Sequence, residues 1–83
     1  MTRPLHVRLR FFAALREQVG ARLERDVPRG TTVGALWKAV VAEHPALGTV
    51  PVRFAVNQRY VDAGHELGAD DEVAFFPPVS GGR

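Results

Sequence analysis

Hydrophobic and polar residues alternate strictly from Leu5 to Phe11: Leu5, Val7, Leu9 and Phe11 fall on one side, His6, Arg8 and Arg10 on the other. A period of two marks a half-buried β-strand, since successive side chains of a strand point to opposite faces. The following Phe12–Val19 holds mostly helix-tolerant residues and stops at Gly20, which predicts a short helical turn with the glycine as terminator. Ala21–Val27 alternates again, with Leu23, Arg25 and Val27 on one face, and is closed by Pro28-Arg29-Gly30. The two strands and their connection predict a hairpin. The period then changes. After Thr31-Thr32, either of which can cap a helix, Val33, Leu36, Trp37 and Val40 follow the i, i+3, i+4, i+7 spacing of one buried helical face. Pro45 ends that helix, and Gly34 in its first turn points to close packing, because glycine there costs helix propensity. A loop through Gly48 and Pro51 leads to a strand at Arg53–Asn57, a short partner at Tyr60-Val61 after a polar turn, a further turn at Gly68–Glu72 and a last strand, Val73–Pro77.

One main helix among four to five strands predicts an α+β domain, with the helix packed across one face of a mixed sheet. That arrangement is the ubiquitin-like β-grasp. Residues 1–77 are expected to form this single domain and residues 78–83 a flexible C-terminal tail.

Composition narrows the chemistry. The 83 residues contain no cysteine, which excludes disulfides, thiolate metal sites, iron–sulfur clusters and a cysteine nucleophile. His6, His44 and His65 are far apart and share no metal-type spacing, so no metal site is expected. The net charge of +2 combines ten arginines and one lysine with nine acids. The signs are interleaved, as in Arg22-Leu23-Glu24-Arg25-Asp26, and read as a mixed solvated surface with no nucleic-acid footprint. No signal-peptide core and no membrane-length apolar run is present, so the expected location is cytoplasmic, away from membranes. Asp70, Asp71 and Glu72 read as solvated turn charges, with no nucleophile or phosphate cradle beside them to suggest an independent active site.

The end of the chain carries the candidate chemistry. Pro77-Pro78 fixes the direction in which the chain leaves its last strand, and Val79-Ser80-Gly81-Gly82 then lacks bulky side chains. Two glycines in succession can pass a narrow channel and take backbone angles closed to other residues. Such an end also resembles a frayed terminus; the apolar strand running right up to it and the stiffening prolines set it apart. Strand parity adds a surface. If Val73 and Phe75 face the core, Phe76 faces away; if Val61 faces in, Tyr60 faces out; and Phe12 lies beyond the register of the first strand. Phe12, Tyr60 and Phe76 are therefore expected to form an apolar patch beside the tail, of the kind that marks a partner surface.

The stretch Asp71-Glu72-Val73-Ala74-Phe75-Phe76-Pro77-Pro78-Val79-Ser80-Gly81-Gly82, together with Phe11-Phe12-Ala13-Ala14-Leu15-Arg16-Glu17 and Ala55-Val56-Asn57-Gln58, resembles the small, sulfur-carrying subunit of molybdopterin synthase. The resemblance spans essentially the whole chain. It implies a β-grasp fold and a sulfur carrier for molybdenum cofactor biosynthesis that binds no cofactor itself. An activating enzyme related to ubiquitin activators would use ATP to adenylate the Gly82 carboxylate, and a sulfur donor system would convert it to a thiocarboxylate. The tail would then enter the large subunit of molybdopterin synthase, in a heterotetramer, and pass sulfur to cyclic pyranopterin monophosphate. On that pattern Gly82 carries the sulfur and Gly81 allows passage. Phe12, Tyr60, Phe76 and Pro78 match partner-binding positions, with Arg16 at the rim or simply solvated on its helix. The family pattern ends at the second glycine, whereas Arg83 follows here; either it is removed before activation, or it is an appended residue, or it marks a divergent carrier. The rival readings are a carrier for thiamine synthesis or tRNA thiolation, a protein modifier, and a binding module whose tail does no chemistry.

Overall fold

The computed structural model describes residues 3–78. The first alternating segment forms strand β1, Leu5–Phe11, with Leu5, Val7, Leu9 and Phe11 buried. The short helix α1, Ala14–Val19, buries Leu15 and closes at Gly20, whose φ of 106° lies in the left-handed region that favours glycine. Strand β2, Arg22–Val27, returns antiparallel to β1, with Leu5 opposite Val27 and Arg10 opposite Arg22, so the expected hairpin is present.

Helix α2, Val33–Glu43, begins where Thr32 accepts the Ala35 N–H on its hydroxyl at 3.1 Å. Val33, Leu36 and Val40 are buried, and Trp37 packs partly buried beside them. The helix stops at His44, immediately before Pro45. The segment expected as a plain loop instead begins with a 3-10 helix, Pro45–Thr49, which buries Leu47. One turn of 3-10 helix is too short to leave a period in the sequence. Strands β3, Arg53–Val56, and β4, Arg59–Val61, form a hairpin, and β5, Glu72–Phe76, completes a five-stranded sheet. The order is β2-β1-β5-β3-β4, with β1 and β5 parallel and the other pairs antiparallel. The last strand in sequence is thus the central one in space.

The core lies between the inner face of this sheet and α2. Phe75 is its hub: its ring centroid is 5.1 Å from Trp37, 5.4 Å from Phe11 and 5.7 Å from Phe54. No polar or charged residue is buried among the described residues. Arg25 reaches the inner side of β2 because its guanidinium pairs in a fork with the Glu43 carboxylate at the end of α2. That bond holds the Glu43 carboxyl below its usual pKa range.

The acidic turn is structural as well as solvated. Asp71 accepts the Gly68 N–H at 2.7 Å and the Asn57 side-chain amide at 2.9 Å. The Asn57 side-chain oxygen in turn accepts the Glu72 N–H at 3.0 Å, which ties the β3–β4 turn to the start of β5. On the outer face, His6 Nδ1 lies 2.8 Å from Asp26 and Nε2 lies 2.7 Å from Glu24. Only an imidazolium donates from both nitrogens. Asp26 first, then Glu24, therefore raise the His6 pKa above its ordinary 6.5.

Two predictions follow from these contacts. The Gly34 N–H donates to the Ala63 carbonyl at 2.8 Å, and a Cβ on Gly34 would stand 2.9 Å from Ala63 Cβ and 3.0 Å from Ala63 O. Helix propensity alone favours Gly34→Ala by about 1 kcal/mol, whereas overpacking costs about 1–3 kcal/mol. Urea unfolding should show a net loss of stability; a gain would refute the close approach. His6 should make stability depend on pH. Because its folded pKa is raised, its contribution is complete below about pH 6.5 and fades as pH climbs through the raised value. Unfolding of the parent and His6→Gln across pH should show a difference that shrinks in that direction, and a difference independent of pH would contradict the assignment.

Candidate functional site: an apolar groove on the outer face

The alternation that sends Val73 and Phe75 into the core turns Glu72, Ala74 and Phe76 to the opposite face of β5. Across that face Ala74 neighbours Arg10 on one side and Ala55 on the other, and Ala55 is opposite Tyr60. Two adjacent alanines make a low floor. Phe76 and Tyr60 rise beside it with ring centroids 5.7 Å apart. Phe12 stands at the β1 end, its N–H donating to the Phe75 carbonyl at 3.2 Å. The groove is lined by Phe12, Ala13, Gln58, Tyr60, Ala74, Phe76 and Pro77. Tyr60 is 81% exposed and Phe12 38%, an unusual state for large apolar rings in so small a domain.

Backbone geometry aims these rings. Ala13 adopts φ 55° and ψ −132°, turning the chain from β1 into α1 directly after Phe12. Asn57 and Gln58 both have positive φ, 51° and 70°, as a two-residue hairpin of primed type requires, and the hairpin presents Tyr60 outward. Non-glycine residues at such angles carry strain, which tends to collect at functional sites. Ala13 and Gln58 both line the groove.

The sequence-derived residues separate into three groups. Phe12, Tyr60 and Phe76 come together as expected, although Phe76 is only half-exposed against Tyr60. Pro78 is exposed in a neighbouring hollow with Val52, Arg53, Phe54, Val61, Asp62 and Ala63, with Tyr60 shared between the two. Arg16 is exposed on α1 and lines neither hollow. Gly81 and Gly82 lie outside the described residues. Sequence reasoning missed Ala13, Gln58, Ala74 and Pro77. The parity that selected Phe76 also selects Ala74, but nothing in the pattern marks Gln58.

The groove offers binding and no bond-making chemistry: among its lining residues the polar side-chain groups are the Gln58 amide and the Tyr60 hydroxyl. Among the described residues no group of His, Asp or Glu side chains is arranged to hold a metal ion. No described helix is long and apolar enough to cross a membrane.

A five-stranded mixed sheet gripping one main helix, with a Gly-Gly pair soon after the central strand, defines a ubiquitin-like β-grasp protein. Residues 9–82 match the ThiS family model, and the chain belongs to that family. The molybdopterin synthase sulfur carrier subunit of Homo sapiens is 39% identical over 82 residues, covering 92% of this chain and 93% of that protein. The Escherichia coli protein of the same name is 40% identical over 80 residues, covering 92% and 99%. The crystal structure of small archaeal modifier protein 1 from Haloferax volcanii superposes with a TM-score of 0.80 at 32% identity, over 90% of this chain and 99% of that one.

Proposed function

We propose that this chain is the sulfur carrier of molybdopterin synthase, with the Gly82 carboxyl as the loading site. The observation that carries the reading is the placement of β5. This central strand builds the groove with its outward residues and runs through Pro77 and Pro78 towards the glycine pair. Gly82 follows Pro78 by four positions. Four extended residues reach about 13–14 Å, enough to carry a carboxyl from a docked groove into a partner's interior. The name shared by the human and Escherichia coli relatives supports the same reading.

The chemistry divides between carrier and partners. An adenylating enzyme joins the Gly82 carboxylate to the α-phosphate of ATP and releases pyrophosphate. A sulfur nucleophile then displaces AMP at the acyl carbon and leaves a thiocarboxylate. In the large subunit of molybdopterin synthase that sulfur passes to cyclic pyranopterin monophosphate, in a heterotetramer of two carriers and two large subunits, and water restores the carboxylate. A complex of subunits 1 and 2 of molybdopterin-converting factor from Helicobacter pylori has the same fold in its matching chain, at a TM-score of 0.65. The carrier supplies no catalytic side chain; it supplies a docking face and an arm. In this chain Arg83 holds the Gly82 carboxyl in a peptide bond, so hydrolysis of that bond precedes activation.

A second reading, attachment to protein lysines, is favoured by one comparison. Small archaeal modifier protein 1 of Haloferax volcanii is 37% identical over 84 residues, covering 88% of this chain. Gly-Gly remnants on lysines after digestion of cell extract would support it.

The sulfur-carrier reading is tested by intact mass after incubating the chain, with and without Arg83, with ATP, the adenylating enzyme and sulfide. The form ending at Gly82 should gain the mass difference between one sulfur and one oxygen, and the form retaining Arg83 should not. Failure of the Gly82 form to gain sulfur overturns the reading; gain by the Arg83 form overturns the trimming step alone.

A further inference from the structure

The outer face of the sheet is organised in cross-strand rows, and on β1, β2 and β5 its acids stand in the rows away from the groove, with none in the row that forms the groove's floor. In the row furthest from it, His6 pairs with Asp26. In the next, Arg8 lies between Glu24 on β2 and Glu72 on β5. The third row reads Arg22, Arg10, Ala74, Ala55, Tyr60. Arg10 and Arg22 stand directly opposite one another, a like-charge pair that costs stability in an antiparallel ladder. Arg10 also places its guanidinium 5.2 Å from the centre of the Phe12 ring, at the groove's edge. Beyond the groove, Arg53 lies opposite Phe76. Among the described residues no carboxylate is within ion-pair distance of Arg8, Arg10, Arg22 or Arg53, although Glu24 and Glu72 line one hollow with Arg8, Arg10 and Arg22.

We infer that Arg10 and Arg22 form a cationic shoulder of the docking face, and that the protein partner seated on the groove presents carboxylates against it. This rests on the carrier reading above and adds the chemistry of the partner: an apolar centre for Phe12, Tyr60 and Phe76, with acidic side chains on the side that meets β1 and β2. Charge complementarity is the argument for that occupant. The two arginines repel each other in the free chain, and a carboxylate placed between them removes the repulsion. A nucleic acid fits less well, because Glu24 and Glu72 flank the neighbouring row and would face its phosphates. Complementary charge at a rim acts mainly on association rate and on salt dependence.

The experiment compares the full chain, Arg22→Glu and Phe76→Ala for binding to the purified large subunit of molybdopterin synthase from the same cell, at low and high ionic strength, alongside thermal unfolding. Arg22→Glu places an acid opposite Arg10, so its melting temperature should equal or exceed the parent's. Its affinity at low ionic strength should nevertheless fall about tenfold, and the gap should narrow at high ionic strength. Higher stability with weaker binding is a combination that simple misfolding does not produce. Unchanged affinity in Arg22→Glu, or a loss that ignores salt, overturns the acidic-partner inference. If Phe76→Ala still weakens binding in that case, the groove remains the docking face. If the parent chain itself does not bind the large subunit, both readings fall. A single-stranded RNA oligonucleotide bound as tightly as the large subunit, and lost in Arg22→Glu, would reassign the arginines to nucleic acid.

Discussion

The fold and the candidate site both depend on β5. Its five residues occupy the centre of the sheet, parallel to β1 and antiparallel to β3, so neither of its edges is exposed. Alternation splits the strand between two tasks. Val73 and Phe75 are fully buried, and Phe75 joins rings from β1, α2 and β3 into one cluster. Ala74 and Phe76 face the other way and form floor and wall of the groove. Removing a buried phenylalanine ring typically costs about 3–5 kcal/mol, comparable to what a core of this size supplies. The groove therefore stands on a strand that is paired along both edges and anchored in the core. A strand slipped by one residue would exchange core and surface completely, so the packing of Phe75 also fixes the orientation of Phe76.

The register of β5 is held at its start as well as along its length. The Asp71 backbone carbonyl accepts the Arg8 N–H at 2.9 Å, and the Asp70 N–H donates to the His6 carbonyl at 2.8 Å. Asn57 bonds to Asp71 and to the Glu72 backbone from the other side. The same Asn57 occupies the left-handed position of the hairpin that presents Tyr60. One short polar junction thus positions β5 and the β3–β4 turn together, and the spacing of Phe76 and Tyr60 follows from it.

Much of this was legible in the sequence because it depends on periodicity. The strict alternation of Leu5–Phe11 and the 3.6-residue spacing of Val33, Leu36 and Val40 are direct consequences of which side chains are buried. The Phe12, Tyr60 and Phe76 patch followed from parity alone. Features built by tertiary contact left no such trace. The burial of Leu47 and Leu67 depends on where their loops pass over the core, and the role of Asp71 depends on an asparagine 14 positions away. Acids in a turn look the same whether they are solvated or structural. The facing of Arg10 and Arg22 was equally hidden, because it appears only once the hairpin register is set.

The charges of the outer face sharpen what kind of surface this is. A domain that needed only to stay folded and soluble would gain from an acid at either position of the Arg10–Arg22 pair, since like charges directly opposite in a ladder destabilise it and opposite charges do not. The hairpin instead keeps two cations together at the one row that continues into apolar floor. Exposed rings, strained backbone at Ala13 and Gln58, and an uncompensated cation pair each reduce the stability of the isolated chain. They occur side by side, on the face from which the chain departs towards its glycines. Local departures from good packing and good charge pairing are expected where a surface is shaped for something other than its own fold. Their convergence on one groove is what the proposed docking face requires and what a merely incomplete surface would not produce.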